Sequence, residues 1–521
     1  GALHNQNFTT STDNYNVAVG FDAGNDITTG TLNTFVGGLS GDANTTGTAN
    51  NAFGYDALGA NTTGGENNAF GRNALGANNA NGNSAFGHRA LQANTSGTSN
   101  VGVGHSALTA NTTASNNVAV GHSAGAAITT GAQNTVVGTF ALDAATTAAN
   151  NVAVGYLAGS AITEGDQNIL IGALAGDALT DADYNVALGH TALSADTLGS
   201  RSTALGYAAL QVQNFTSATD TYNTAVGFHA GYQVGTGVQN TLIGGLSGDA
   251  VTTGARNTSL GYAALSTTTT TSDNTALGAN ALLVSTTGNG RNTALGAYAS
   301  TGLTTGDSNV MVGYLAGGSL TTGDSNVFVG GGEFGVTNPA GYATNGDANT
   351  FIGHSAGTVV TSGSNNTILG AYTGNSGGLD IRTSSNNIVL SDGDGNIRFM
   401  TDASGNVLAG KVAIDPAADG FEFRPGNASF LAITNSVAVA GDEVLFLRRT
   451  GLSGSGTYVE FYHGSTKVGT ITADGSSTAY NTSSDYRLKE NVVSMTGATE
   501  RLKELAPKRF NFIADADTTV D

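Results

Sequence analysis

The chain has 521 residues and a formal net charge of −20, with 11% charged and 39% hydrophobic residues and no cysteine. An acidic surface repels phosphate backbones, so nucleic-acid binding is not expected. No apolar run reaches the roughly 18 residues of a membrane-spanning helix, so membrane insertion is not expected either. The lack of cysteine excludes disulfides and thiolate metal ligands.

From residue 16 onward the sequence repeats about every 17 residues, and we count about 21 copies up to Asn366. "NVAVGFDAG" from Asn16 and "NTFVGGLSG" from Asn33 show the pattern. Three places after Asn stands Val, Leu, Ile or Phe, then always Gly, and the seventh place is Ala or Ser in nearly every copy. Such columns predict coils that stack in register, with a ladder of side-chain amides along the Asn column.

Seventeen residues suit one short β-coil, which we predict to contain two strands of about five residues and two turns. The many Gly and Thr residues disfavour helix. We interpret the large residue three places after Asn, such as Val154, as the core column. One large side chain per coil makes a thin core, which predicts that several chains associate.

A longer repeat is superimposed on the short one. "NFTTSTDNYNVAVGFDAG" from Asn7 returns as "NFTSATDTYNTAVGFHAG" from Asn214, an offset of 207 residues, and the two following units match as well. A block of the chain has therefore been duplicated.

Units of the form N-[ST]-[VA]-[AVL]-G, over about residues 16–375, resemble the head repeats of trimeric bacterial adhesins. That resemblance implies left-handed parallel β-rolls bundled as a homotrimer. It is specific for architecture and says little about function.

Beyond Asn366 the period is lost and alternating strand patterns follow. "NNIVLSDGDGNIRFM" predicts two strands about a Gly-rich turn, and "VEFYHGSTKVGTITADG" predicts a hairpin with its turn at Gly464-Ser465. We expect any binding surface of this region within 415–480, where the side chains are most varied.

"DGDGN", with Asp392, Asp394 and Asn396, resembles the start of a calcium loop. The twelfth place of such a loop needs a bidentate Glu, and here it is Ala403. A plain hairpin turn is therefore the favoured interpretation.

His88, His105 and His122 stand 17 residues apart in one column. Stacked coils would place them about 5 Å apart, which makes them candidate metal ligands. The same column also contains Tyr and Phe, which favours an outer stripe of flat side chains stacked between coils. We predict no cofactor.

The C-terminal segment "TSSDYRLKENVVSMTGATERLKELAPKRFNF" differs in composition from the rest. The 38 residues from Ser484 onward contain six Lys and Arg, whereas residues 1–380 contain five Arg and no Lys. This change predicts a domain boundary near 480. Ala498, Leu502 and Leu505 at i, i+4 and i+7, followed by Pro507, predict a short amphipathic helix.

"SSDYRLKENV" followed by "ATERLKELAPKRFNF" closely resembles the start of the intramolecular chaperone at the C-terminus of phage tail fibres and endosialidase tailspikes. The resemblance implies that the chaperone trimerises the fibre and then cleaves itself off at the Ser483–Ser484 bond. Ser484 would be the nucleophile and Lys489 its activating base, because a hydroxyl near a desolvated Lys can lose its proton and attack a carbonyl. On the residues alone, a simple turn and a surface Lys are the favoured interpretation.

We therefore expect an all-β chain with three segments. A parallel β-solenoid of about 21 repeats, bundled as a homotrimer, forms a shaft over 1–378, and a small antiparallel β knob spans 379–483. An α+β chaperone domain begins at 484 and is incomplete at 521, because the family's chaperone continues for many tens of residues.

The resemblances imply a structural and adhesive fibre, most simply a phage tail fibre in the virion tail, outside the cell. Its partners would be two further copies, other virion tail proteins and a host-surface glycan or protein. No catalytic constellation stands out beyond the single self-cleavage, so we do not expect an enzyme. The alternatives are a bacterial surface adhesin or appendage built from the same repeats, and a tailspike with a glycan-cleaving domain outside this chain.

Overall fold

The structure is a computed structural model. It describes residues 1–9, 11–285, 288–332, 339–415, 418–425, 430–434, 456–463, 465–474, 476–482, 496–504, 510–512 and 515–520. The chain divides into two compact units, Gly1–Ser436 and Val437–Asp521.

The first unit is a parallel β-solenoid of about 22 turns with a spacing of about 17 residues, which confirms the predicted fold class. Every turn contributes one short strand to a single ladder, and each strand pairs in register with the equivalent residues of the next turn. The strands of this ladder are β1 (Val17–Val19), β2 (Thr34–Val36), β3 (Asn51–Phe53), β4 (Asn68–Phe70), β5 (Ser84–Phe86), β6 (Val101–Val103), β7 (Val118–Val120), β8 (Thr135–Val137), β9 (Val152–Val154), β10 (Ile169–Ile171), β11 (Val186–Leu188), β13 (Thr203–Leu205), β15 (Thr224–Val226), β16 (Thr241–Ile243), β17 (Thr258–Leu260), β18 (Thr275–Leu277), β19 (Thr293–Leu295), β20 (Val310–Val312), β21 (Val327–Val329), β22 (Thr350–Ile352), β23 (Thr367–Leu369) and β26 (Ile388–Ser391).

Most coils have one strand of three residues, so the prediction of two strands of about five residues is wrong. Left-handed backbone ends the strand and turns the rest of the coil. In the coil that begins at Asn151, Gly155 has a φ of 144° and Leu157 a φ of 56°. A Cβ on Gly155 would overlap the carbonyl oxygen of Gly172 in the next coil, so the place after the strand must be Gly, as predicted.

From Asn33 onward, the Asn that opens a coil is buried and forms the predicted ladder of amides. The backbone N–H and the Nδ2 of Asn134 donate to Oδ1 of Asn117 at 2.9 and 3.1 Å, and Nδ2 also donates to the Ala148 carbonyl at 2.8 Å. The ladder therefore satisfies polar groups inside each coil, where water does not reach. Where Ser202 replaces Asn, Nε2 of Gln213 donates to its Oγ at 2.8 Å.

The interior is built from the middle residue of each strand rather than from the large residue at its end. Ala153, two places after Asn151, has no exposed surface, whereas Val154 is only half-buried. Successive side chains of a strand point to opposite faces, so Val154 points outward. The interpretation of the third place as the core column is therefore wrong.

The parallel ladder ends at β26, which pairs with β23 on one side and begins an antiparallel series on the other. The β26–β27 pair confirms the hairpin predicted for "NNIVLSDGDGNIRFM". The last parallel strand thus lies beyond the end of the shaft predicted at 378. The remaining strands of this unit are β27 (Ile397–Thr401), β28 (Val407–Ala409), β29 (Gly420–Arg424) and β30 (Phe430–Thr434), with a parallel pair β12 (Gly199–Ser200) and β14 (Thr219–Asp220) and an antiparallel pair β24 (Asn375–Ser376) and β25 (Leu379–Asp380).

The second unit contains a three-stranded antiparallel sheet of β31 (Gly456–His463), β32 (Thr466–Ala473) and β33 (Thr478–Thr482). His463 pairs with Thr466, which confirms the predicted hairpin. The helix α1 (Ala498–Glu504) confirms the helix predicted in the basic segment. An antiparallel pair, β34 (Phe510–Phe512) and β35 (Asp515–Val520), follows it.

Candidate self-association surface

The outward side chains of the solenoid strands form two columns, which lie at the first and third places after each Asn. We call them the outer apolar columns. The first place is Val, Ile or Thr in all coils but three, and the third is Val, Ile, Leu or Phe in every coil. The third-place residues are Val19, Val36, Phe53, Phe70, Phe86, Val103, Val120, Val137, Val154, Ile171, Leu188, Leu205, Val226, Ile243, Leu260, Leu277, Leu295, Val312, Val329, Ile352, Leu369 and Leu390.

These columns are open to solvent in the single chain. Val120 is 37% exposed, Leu260 is 44% exposed and Leu295 is 41% exposed. Scattered exposed apolar residues are ordinary on a protein surface, but the third-place column is a contiguous apolar stripe over about 22 coils, which is not ordinary. Large contiguous apolar patches mark interaction sites.

Neither outer column contains a charged residue in any coil, although the chain has a net charge of −20. Burying a charge without a partner is costly, and burying an aliphatic side chain is favourable. Two copies of this acidic chain could therefore pack these columns together without desolvating a charge in either column. The arrangement suits association with a like surface.

The three histidines of the candidate metal column do stack. The ring centroids lie 5.0 Å apart between His88 and His105, and 5.0 Å apart between His105 and His122. Partial burial lowers the pKa of His88, and the neighbouring His105 and Arg72 lower it further. Among the residues that the structure describes, no group of three His, Asp or Glu side chains is placed to hold a metal ion.

The carboxylate of Asp392 is satisfied within its own hairpin turn. Its Oδ1 accepts the backbone N–H groups of Asn396 at 2.9 Å and Asp394 at 3.1 Å, and Arg398 Nη2 lies 2.6 Å from its Oδ2. Hydrogen bonds from Asn396, followed by Arg398 and the N–H of Asp394, lower the pKa of Asp392 to about 2. These contacts make "DGDGN" the hairpin turn that the sequence favours over a calcium loop.

The predicted self-cleavage site lies outside the described residues. This applies to Ser484, to Lys489 and to the Ser483–Ser484 bond, so the site stays a prediction. Within 415–480, the sheet of β31 to β33 has a shallow apolar depression lined in part by Val468 and Ile471. The prediction that a binding surface lies within 415–480 also stays a prediction.

The outer apolar columns are the candidate site that the sequence reasoning missed. A signal for them is present in triplets such as "VAV" at β9 and "TAL" at β13. A small residue between two larger ones indicates that the narrow interior lies on the side of the small residue. The large residues then have to be on the outside.

No helix in the described part of the chain has both the length and the apolar composition needed to cross a membrane. Comparison with protein families, characterised proteins and solved structures finds no match for the chain. The functional inference therefore depends on the residues and geometry of the chain and on the resemblances of its repeats and its C-terminal segment.

Proposed function

We propose that this chain is a structural and adhesive fibre protein, most simply a phage tail fibre, which assembles as a homotrimer through its outer apolar columns. The observation that carries the proposal is the pair of uncharged, exposed columns that extends over every coil of the solenoid. A surface that repeats at each coil is matched best by one with the same spacing. A second copy of the chain has that spacing.

Cyclic symmetry supports parallel packing of the copies. In a closed ring of identical chains the same surface of each copy faces the common axis, so equal coils meet at equal height. Each coil encloses only a small interior. In the coil that begins at Asn50 the buried apolar residues are Ala52, Ala57 and Leu58, so burial of the outer columns would add substantially to the stability of the solenoid. The proposal of three copies per fibre comes from the resemblance of the repeats to trimeric adhesin heads.

The phage assignment is supported by the C-terminal resemblance to the chaperone of tail fibres. In this proposal the chaperone holds three chains together while their solenoids form, and it then cleaves the Ser483–Ser484 bond once. The mature fibre would belong to the virion tail, outside the cell. It would join other tail proteins and bind a glycan or a protein on the host surface.

The test is the mass of the full-length product under native and denaturing conditions, for the wild type and for Ser484→Ala. We expect three chains in the native complex, each ending at Ser483, and no cleavage in the variant. Ser483→Ala, one residue earlier, is the matched control and should still be cleaved. A monomer that is never cleaved would contradict the proposal.

A further inference from the structure

The outer apolar columns repeat from coil to coil, so they specify the axial register of two copies poorly. A partner shifted by one coil would lose the contact of one coil in about 22 and would keep aliphatic contacts elsewhere. Flat repeating surfaces are prone to such slippage. For identical chains to pack in one register, the outward residues of at least one coil must differ from those of the other coils.

Three consecutive coils do differ from the others in their outward residues. Phe53, Phe70 and Phe86 are the three aromatic residues of the third-place column, and they occupy consecutive coils. Their rings stack with centroid distances of 4.7 and 4.9 Å and interplanar angles of 10° and 11°. Phe86 is 41% exposed, so the stack is open to a partner in the single chain.

The first-place residues of the same coils differ as well. They are Asn51, Asn68 and Ser84, where every other coil has Val, Ile or Thr. The Nδ2 of Asn51 donates to Oδ1 of Asn68 at 3.0 Å, and the Nδ2 of Asn68 donates to Oγ of Ser84 at 3.3 Å. A row of linked polar groups thus lies beside the row of stacked rings, and we call the two rows together the Phe–amide level.

We propose that the Phe–amide level fixes the axial register in which copies of this chain pack. The inference rests on the proposed self-association. When copies are in register, each level meets its equivalent. After a shift of three or more coils, the rings meet aliphatic side chains that leave them a differently shaped space. The amides then face Val or Ile, which cannot pair with them, or Thr, which has no amide group to form the same pair. A single polar position fixes the register of coiled coils in the same way.

The duplicated block supports this role. About 207 residues after the Phe–amide level, the second block has Leu260, Leu277 and Leu295 at the third place. The first-place residues of those coils are Thr258, Thr275 and Thr293. If two copies were shifted by one whole block, aliphatic third-place residues would face aliphatic third-place residues in every coil except those of the Phe–amide level. Only that level would then distinguish the shifted arrangement at the third place.

The test measures distances between copies with one spin label per chain. The chain has no cysteine, so Tyr156→Cys gives a single attachment point on an exposed column outside the outer apolar columns. Copies in one register have labels at one height and should give one narrow distance distribution. Each coil of slippage displaces the labels by about 4.8 Å along the axis, so mixed registers broaden the distribution toward longer distances.

Replacing both rows of the Phe–amide level with the residues of the second block should produce that broadening. A control removes three exposed rings from a different column and should keep the narrow distribution. The test variant is Phe53→Leu/Phe70→Leu/Phe86→Leu combined with Asn51→Thr/Asn68→Thr/Ser84→Thr, and the control variant is Tyr55→Leu/Tyr207→Leu/Tyr262→Leu. A rescue variant adds Leu260→Phe/Leu277→Phe/Leu295→Phe and Thr258→Asn/Thr275→Asn/Thr293→Ser to the test variant. It should narrow the distribution again, because every copy then has its rings and amides at the same new level.

A test variant that keeps the wild-type distribution would overturn the proposed register device and leave self-association intact. A test variant that broadens the distribution and a rescue variant that does not narrow it would also overturn the proposal, because the Phe–amide level would then not be what sets the register. A wild type that gives no distance between copies would overturn both this inference and the proposed assembly.

Discussion

The inward and outward faces of the solenoid strands differ in how much their residues vary from coil to coil. In β9 the inward residue Ala153 is completely buried, while Val152 and Val154 face outward and are half-buried. Along the solenoid the inward place varies from Gly102 to Phe328, whereas the outward third place is a large apolar residue in every coil. The size of the inward residue therefore varies from coil to coil, whereas the third-place residue is always large and apolar.

The interior adapts because neighbouring places within a coil exchange volume. One coil has Leu142 at the eighth place and Ala145 at the eleventh, and the next has Gly159 and Ile162 at those places. A Cβ on Gly159 would lie 3.2 Å from Cδ1 of Ile162, so the larger residue at the eleventh place requires Gly at the eighth. The outer columns have no such neighbours within the chain, and their constancy is what a fixed external partner requires.

The largest expected effect comes from a charge on the inner face. Ala153→Asp would bury a carboxylate that has no partner, so the coil could not close around it. We expect a loss of about 4 kcal/mol or more in the free energy of unfolding, together with faster proteolysis near this coil. Unchanged protease resistance would show that Ala153 does not belong to the core.

The same charge one residue later should leave the fold intact and prevent the copies from assembling. Val154→Asp points outward, so the solenoid should keep its circular dichroism spectrum while the copies separate in sedimentation. Like charges meeting at an interface weaken association by several kcal/mol, so we expect at least a roughly 100-fold loss of affinity. Val154→Thr, which keeps the shape without a charge, is the control. A Val154→Asp protein that stays fully assembled would refute the outward assignment of this column.

An intermediate effect is expected from the amide ladder inside the solenoid. Asn134→Ala removes the Nδ2 that donates to Asn117 Oδ1 and to the Ala148 carbonyl. It also removes the Oδ1 that accepts the backbone N–H of Asn151, whereas the backbone N–H of residue 134 still donates to Asn117 Oδ1. We expect a loss of about 1–3 kcal/mol in denaturant unfolding, with assembly retained. Thr147→Ala, at an exposed turn of the same coil, should change stability by less than about 0.5 kcal/mol. Equal effects from the two variants would argue against a structural role for the ladder.

The smallest expected effect concerns pH. Because the pKa of His88 is lowered in the fold, the folded chain binds this proton less readily than the unfolded chain does. Stability should therefore fall as the pH drops through the ordinary imidazole value of about 6.5. His88→Gln should lessen the difference in melting temperature between about pH 7.5 and pH 5.5. A variant with the same pH dependence as the wild type would remove His88 as a cause.

The sequence predicts the features that depend on backbone conformation. The period, the forced Gly such as Gly155, the Asn ladder and the hairpin at Asp392 are all present in the structure. The number of strands per coil was not predictable, because non-Gly residues such as Leu157 adopt the left-handed conformation that Leu otherwise rarely visits. Such a residue gives no composition signal for a turn.

The direction of the third-place column was also missed, for a different physical reason. Hydrophobicity predicts that Val154 is buried, but it does not tell whether its own chain or a partner covers it. The small size of Ala153 between two Val residues distinguishes the two cases, because in this coil the small residue occupies the interior and the two larger residues lie outside.

The most direct test of the central claim compares thiol reactivity at two outward places of one coil in the assembled protein. Val154→Cys places a thiol in the outer apolar columns, and Tyr156→Cys places one two residues later, where the native side chain is 53% exposed. We predict that maleimide modifies Tyr156→Cys rapidly and Val154→Cys slowly, and that both react at the same rate in denaturant. Equal rates in the native protein would contradict the claim that copies of this chain cover the outer apolar columns.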